Sequence, residues 1–246
     1  MTATNRRLVV LLTAADGADM REEALAEAKH LTAALGRGVV AVAVRLRASV
    51  NPLAQTGVTT GVDAAIEVDL AERATPDALR GALAGLADRH PGLLDLERST
   101  VLVGEAFTLR LRPEPPPSAE ALRVVVAVRP APGMSITESR AGWREVGAVN
   151  ARTHPSCSEY VQVHSDVELT SELVAQAGLT GDPFPGLAVE VFPTPDDLVT
   201  GHHSVLQPES VAGSSLDGKH LMEMLARYLD FGTALMIVAA EEPVGP

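Results

Sequence analysis

Two pairs of segments recur in this chain in the same order, and that recurrence constrains the fold more than any other feature. Arg7–Asp19 (RLVVLLTAADGAD) lies without gaps over Arg123–Ser135 (RVVVAVRPAPGMS). Each is a β-rich run, a turn containing glycine (Gly17, Gly133) and a helix N-cap two residues later. Asp19 is followed by Glu22 and Ser135 by Glu138, the spacing of a capping box. Further on, AIEV (Ala65–Val68) precedes TPDAL (Thr75–Leu79), and AVEV (Ala188–Val191) precedes TPDDL (Thr194–Leu198). Both read as a strand leading to a Thr N-cap, a Pro at the first helical position and an acidic first turn.

Filling in the remaining periodicities gives β-α-β-β-α-β in each half. The first half predicts strands over Leu8–Thr13, Gly38–Leu46, Asp63–Leu70 and Thr100–Arg110, with helices over Met20–Leu35 and Pro76–Arg89. The second predicts strands over Leu122–Arg129, Glu159–Glu168, Leu187–Phe192 and Thr233–Ala240, with helices over Ile136–Ala151 and Pro195–His202. A further helical stretch before the last strand places Leu221, Leu225 and Leu229 on one stripe. The Pro-rich RPEPPPS (Arg112–Ser118) marks a boundary. The division is therefore 1–112 for a degenerate first repeat, 113–121 for the linker and 122–246 for the second repeat. The pattern is the ferredoxin-like split β-α-β, α+β in class. Two such sheets packed face to face would form an α+β barrel within one chain.

Composition narrows the function. The core must be built from Val, Leu and Ala, since hydrophobic residues are 46% of the chain but aromatics only 3%. A formal charge of −12 argues against nucleic acid and anionic membranes as partners. With the single Cys157 there is no disulfide framework and no Cys-based metal site. The apolar run at the N-terminus is too short for a signal peptide or a membrane span, so the expectation is a cytoplasmic protein. No H-x-x-x-H spacing, carboxylate cluster or G-x-G-x-x-G loop occurs, so neither a metal nor a nucleotide cofactor is expected.

The candidate chemistry lies on one predicted strand. Every second residue from Tyr160 is polar (Tyr160, Gln162, His164, Asp166, Glu168), while Val161, Val163 and Val167 alternate with them. The valines suit a helix layer, which turns the polar set toward the barrel interior. Glu190 alternates with Ala188 and Phe192 and could share that chamber. Its repeat counterpart Glu67 could approach from the opposite sheet, though a solvated strand glutamate is the favoured reading there. His154, in the loop THPSC, could rim the entrance, and Cys157 lies nearby. His202 and His203 are adjacent and ill placed to share a metal, and His220 falls on an amphipathic stripe.

The second half resembles the EthD family of the dimeric α+β barrel superfamily. Gly133-Met134-Ser135 opens the helix, Gly142-Trp143-Arg144-Glu145-Val146 follows, and Tyr160-Val161-Gln162-Val163-His164 arrives at the family spacing. Gly147-Ala148-Val149 stands where the family has a helical histidine motif, and Val163 where it has asparagine. The resemblance implies a polar pocket and relatives that include polyketide cyclases, isomerases, cofactor-free oxygenases and haem enzymes. The expectation is a cofactor-independent enzyme of secondary metabolism, a polyketide-type cyclase or isomerase acting on a small apolar carbonyl compound. His164, Tyr160, Asp166 and Glu190 are its catalytic candidates, and Gln162, Trp143, His154 and Phe192 its substrate-binding ones. The alternatives are a carrier for a hydrophobic metabolite and a haem or cofactor-free monooxygenase, and a homodimer is the possible assembly.

Overall fold

The computed structural model describes residues 5–36, 41–46, 50–51, 61–70, 74–110, 120–153, 156–206 and 223–242. Its elements run β1 (Asn5–Leu12), α1 (Arg21–Leu35), β2 (Ala41–Arg45), β3 (Ala64–Leu70), α2 (Pro76–Leu83), α3 (Leu86–Arg89) and β4 (Thr100–Arg110) in the first half. The second half runs β5 (Leu122–Pro130), α4 (Ile136–Thr153), β6 (Glu159–Ser165), α5 (Val167–Gln176), β7 (Gly186–Phe192), α6 (Pro195–Leu206) and β8 (Leu229–Glu242).

Local chemistry sets most of the boundaries. The Thr75 side chain accepts from the Ala78 N–H at the start of α2, and Thr194 does the same for Asp197 at α6. At α4 the capping box is reciprocal: Ser135 Oγ accepts from Glu138 N–H, and the Glu138 carboxylate accepts from Ser135 N–H, each at 3.2 Å. The box expected at α1 does not form. Met20 occupies the cap position there, and Asp19 takes the Arg21 N–H instead. Gly36, with φ 62°, ends α1 in the left-handed conformation. The helix expected over Pro76–Arg89 is broken in two by Gly85, whose φ of 68° no regular helix contains.

Two spans differ more substantially. The strand expected to run to Glu168 stops at Ser165, because Asp166 caps α5 by accepting from Leu169 N–H at 3.2 Å. The last strand begins earlier than expected, at Leu229, and carries an irregular register opposite Ala127 and Arg129 of β5. Most of the Pro-rich linker, and residues 38–40 of the predicted second strand, lie outside the described residues.

All eight strands join in one closed antiparallel barrel in the order β1-β3-β2-β8-β5-β7-β6-β4. Within it each repeat keeps the ferredoxin-like order, β4-β1-β3-β2 and β8-β5-β7-β6. The repeats are stitched along two seams, β2 with β8 and β4 with β6, so neither sheet keeps a free edge. At the second seam Gly104 sits opposite Ser165, and a Cβ there would overlap the His164 carbonyl. Only glycine lets the two repeats close at this point.

The sheet has two buried faces. The barrel interior is filled by small and β-branched side chains such as Val9, Ala65, Val125, Val161, Val189 and Ala239. Outside the first sheet, Leu8, Val10 and Leu12 pack on Ala28 and Leu31 of α1 and Leu79 of α2. Leu169 and Leu173 join this layer, so α5 of the second repeat helps to cover the first. Outside the second sheet, Leu122, Val124, Tyr160 and Phe192 pack on Trp143 and Val146 of α4 and Leu198 of α6. Leu225 and Leu229 of the expected stripe belong here too, while Leu221 lies outside the described residues.

Candidate functional site

The polar residues of β6 face α4 and not the barrel interior. Val161 and Val163 line the interior, whereas Tyr160 packs with Trp143 and Val146 in the outer layer. The expected inward orientation is therefore reversed. The valines join the apolar cluster of the interior, whereas Tyr160, Gln162 and His164 find hydrogen-bond and ring partners on α4. Asp166 joins neither face: it is exposed and committed to capping α5.

Tyr160, Gln162 and His164 are all buried on that outer face. Gln162 Nε2 donates to the Trp143 carbonyl at 3.1 Å and to the Tyr160 hydroxyl at 3.0 Å. Its Oε1 lies 3.4 Å from His164 Nε2. The Trp143 carbonyl is an acceptor only, so it fixes which end of the amide faces it. The His164 ring is stacked on Trp143, with centroids 5.2 Å apart and planes 14° from parallel, and the Phe107 ring lies 4.8 Å from the His164 ring, tilted by 55°. Two glycines permit this packing. A Cβ on Gly186 would lie 2.5 Å from the Trp143 ring, and one on Gly147 would overlap Gln162 Nε2.

Burial, with the nearby Arg140 and Arg144 cations, pushes His164 down to about 3. It is held neutral at physiological pH and is a far weaker proton acceptor than an ordinary histidine. Burial also raises the Tyr160 phenol, so it stays protonated. Glu190, the cross-strand partner of Tyr160, is partly buried and accepts from Asn150 Nδ2 at 3.3 Å. Desolvation pushes its carboxyl up to about 7. Phe192 is buried in the same layer, and Cys157 is held there with its thiol pushed up to about 12 by burial. His154 and His220 lie outside the described residues. Among the described residues no cluster of three His, Cys, Asp or Glu could hold a metal ion.

Sequence reasoning missed Asn150, although a signal existed. Trp143, Gly147 and Asn150 recur at helical spacing and so share one face of α4. It also misplaced Glu67. This residue is fully buried inside the barrel, where its two carboxylate oxygens each hold an arginine at 2.7 Å: Arg7 from β1 and Arg123 from β5. Arg7 and Arg123 are the first residues of the two repeats of the opening echo, so one carboxylate bridges equivalent positions. Glu67 pairs with Val9 and Val189 with Val125. The structural counterpart of Glu67 is thus Val189, and the AIEV/AVEV alignment is one residue out, which puts Glu190 on the opposite face.

The eight strands, closed into one barrel with helices outside, define a dimeric α+β barrel fold formed here by two tandem repeats of a single chain. Solved structures share it over nearly their whole length. One is a provisionally named monooxygenase of Fusobacterium nucleatum (TM-score 0.53, 9% identity, 98% of this chain and 94% of that chain). A second, provisionally named monooxygenase of Lactobacillus acidophilus aligns with TM-score 0.50 and 9% identity over 97% of this chain and 94% of that one. A mutant chlorite dismutase of Candidatus Nitrospira defluvii gives 0.50 and 11% over 99% and 94%. No family model and no curated protein matches the sequence. At these identities the likeness is one of fold. Among the described residues no helix is long and apolar enough to cross a membrane.

Proposed function

We propose that the packed layer between α4 and the β6–β7 face, at the partly buried Glu190, is an acid–base site for a small carbonyl compound, with Glu190 as the group that moves the proton. The observation that carries this reading is the placement of Glu190: a carboxyl at an apolar wall, beside a protonated phenol on the neighbouring strand and an amide from α4. A carboxyl held near 7 can both take and return a proton at physiological pH. Glu190 removes a proton from the carbon next to the carbonyl, and the electron pair moves onto the oxygen. Tyr160 donates a hydrogen bond to that developing enolate. Returning the proton at another carbon completes an isomerisation. Attack of the enolate carbon on a second carbonyl of the same molecule, followed by loss of water, completes a cyclisation. Asn150 orients the carboxyl, and His164 with Gln162 holds the phenol in place. The similarity of Tyr160–His164 to the EthD pattern supports locating the chemistry on this strand.

The fold likeness to proteins named as monooxygenases and chlorite dismutase raises oxygen and haem chemistry as a second reading. The described residues do not fit a haem on this face. Trp143 is stacked on His164 with its ring edge against Gly186, and Gln162 fills the space left by Gly147, so a planar macrocycle has no slot among them.

Exchange of solvent deuterium into the α-position of a panel of β-diketones, followed by NMR, tests the proposal. Glu190→Gln should slow exchange by roughly two to four orders of magnitude. His164→Phe, which keeps a ring against Trp143, should change it only a few-fold. Unaltered exchange in Glu190→Gln refutes the assignment, and saturable binding of the ketones without exchange refutes the enzymatic reading in favour of a carrier.

A further inference from the structure

The start of α4 carries an unusual set of charges for so acidic a protein. Arg129 at the end of β5 and Arg140 on α4 line the same crevice, of about 10 Å³, together with Ser139, Trp143, Pro185 and Gly186. Arg144 lies one turn beyond Arg140 on the same helix face. Six other arginines of the described chain, Arg7, Arg21, Arg45, Arg80, Arg89 and Arg123, each hold a carboxylate. Arg129, Arg140 and Arg144 take part in none of the ion pairs among the described residues.

Their partners are neutral. Arg129 donates to the Pro183 carbonyl at 3.1 Å and lies over the Phe184 ring. Arg140 Nη2 donates to the carbonyls of Ser165 and Pro185, which fixes the guanidinium in place. Its Nε is shut off from water and has no acceptor. Arg144 lies over Phe107. Asp166 and Glu105 are the carboxylates whose fields reach Arg140, and neither forms an ion pair with it. In a chain of formal charge −12 the cations at this corner are left for an anion from outside.

We infer that this crevice is a subsite for one carboxylate of a ligand, held by Arg129 and Arg140 with Arg144 adding its charge, and with the ligand body lying against Trp143. The crevice holds about one water, so it takes at most an oxygen of the ligand's head, and the rest of the ligand lies outside it. Arginine suits a flat carboxylate because its planar fork matches that geometry. Asn150 lies ten residues along α4 from Arg140, roughly 15 Å at the helical rise, so the crevice and the partner of Glu190 are about that far apart. The inference rests on the acid–base reading for its biological sense: the substrate would be an elongated keto acid, with its carboxylate at Arg140 and its carbonyl at Glu190. Binding at the arginine end needs no turnover, so the two readings can fail separately.

The test uses Trp143, the one tryptophan of the chain and a wall of the crevice, as a fluorescent reporter. The intact protein is titrated with benzoate, with its neutral analogue benzamide and with phenyl phosphate. Benzoate should give a saturable change in Trp143 emission, and benzamide none. Arg144→Gln, at an exposed position outside the crevice lining, should weaken benzoate by only about two- to fivefold, the effect of removing one nearby screened charge. Arg140→Gln should weaken it further and Arg140→Lys should restore part of the loss, with circular dichroism confirming the fold of each variant. Arg21→Gln, remote and exposed, should bind as the parent does. Equal binding of benzamide, or parental benzoate binding in folded Arg140→Gln and Arg144→Gln, overturns the proposal. Tighter binding of phenyl phosphate than of benzoate overturns the assignment to a carboxylate. Loss of diketone exchange in Glu190→Gln with benzoate binding intact would leave this subsite standing beside the reaction centre.

Discussion

Replacing Glu67 by glutamine removes one negative charge from a place where water cannot compensate for it. In the native barrel its two oxygens hold Arg7 and Arg123, each at 2.7 Å, and both arginines are themselves buried. Breaking a buried ion pair by removing one partner costs about 3–5 kcal/mol, because the remaining charge stays desolvated. Here the loss falls toward the lower end. Arg7 keeps Asp69 at 2.9 Å, and Arg123 keeps Glu241 at 3.2 Å. Glutamine also retains one oxygen that can accept from one arginine. The expected loss is about 3 kcal/mol, which for a chain of this size lowers the midpoint of thermal unfolding by about 6–12 °C. Urea unfolding of Glu67→Gln against the parent measures it directly, with the m-value showing whether the comparison is sound. The triple variant Arg7→Met, Glu67→Leu, Arg123→Met removes the charges together and should recover most of that stability. A loss below about 1 kcal/mol in Glu67→Gln, or a triple variant less stable than the single one, would refute the view that an uncompensated buried charge is the dominant effect.

Other perturbations probe the seams and the site. Gly104→Ala sets a Cβ against the His164 carbonyl where the repeats join, and should lower stability by about 3 kcal/mol or prevent folding; Gly147→Ala pushes the buried Gln162 amide off its hydrogen bonds and presses on Leu109, and should cost about 2 kcal/mol, with both read by urea unfolding. The carboxyl of Glu190 is raised from 4.5 to about 7, so the folded chain holds a proton that the unfolded chain releases. Its contribution to stability is complete below the unfolded value and is lost as pH rises through the folded one, and Glu190→Gln should abolish that falling limb. His164, lowered from 6.5 to about 3, contributes with the opposite sign: stability present above 6.5 is lost as pH falls toward 3, a limb that His164→Phe should remove. Cys157, buried with its thiol pushed up to about 12, should resist iodoacetamide in the folded protein and react on unfolding, as mass spectrometry would show.

Much of the architecture was legible because it is written in local chemistry. Thr75-Pro76, Thr194-Pro195 and the Ser135–Glu138 box each act over three or four residues, and each starts its helix where expected. The repeat of Arg7–Asp19 on Arg123–Ser135 placed β1 and β5 in equivalent positions, and their arginines do meet on one carboxylate. The end of β6 was legible too, but two signals overlapped there. Alternation ran on through Val167, while Asp166 with Leu169, Leu173 and Ala177 marked a capped helix, and the cap prevails because it satisfies an N–H that the strand would leave open.

The amino-acid sequence by itself determined two repeats, eight strands and the strict alternation of Tyr160, Gln162 and His164 with Val161 and Val163. Only the tertiary structure decided which of those two sets faces the barrel. Where a sheet has one wet face, alternation also tells inside from outside. In this barrel both faces are buried, one against the opposite sheet and one against α4, so the pattern shows that the faces differ and not which layer each enters. That choice depends on the partners each layer offers. Inside, Val161 and Val163 join the apolar cluster of Val9, Val125 and Val189, while the space beneath α4, opened by Gly147 and Gly186, gives Gln162 and His164 the Trp143 carbonyl and ring. The same limit applies to Glu67 and Glu190. They occupy matching letters of AIEV and AVEV, yet a one-residue shift in register buries the first in an ion pair inside the barrel and leaves the second beside Tyr160 on its outer face.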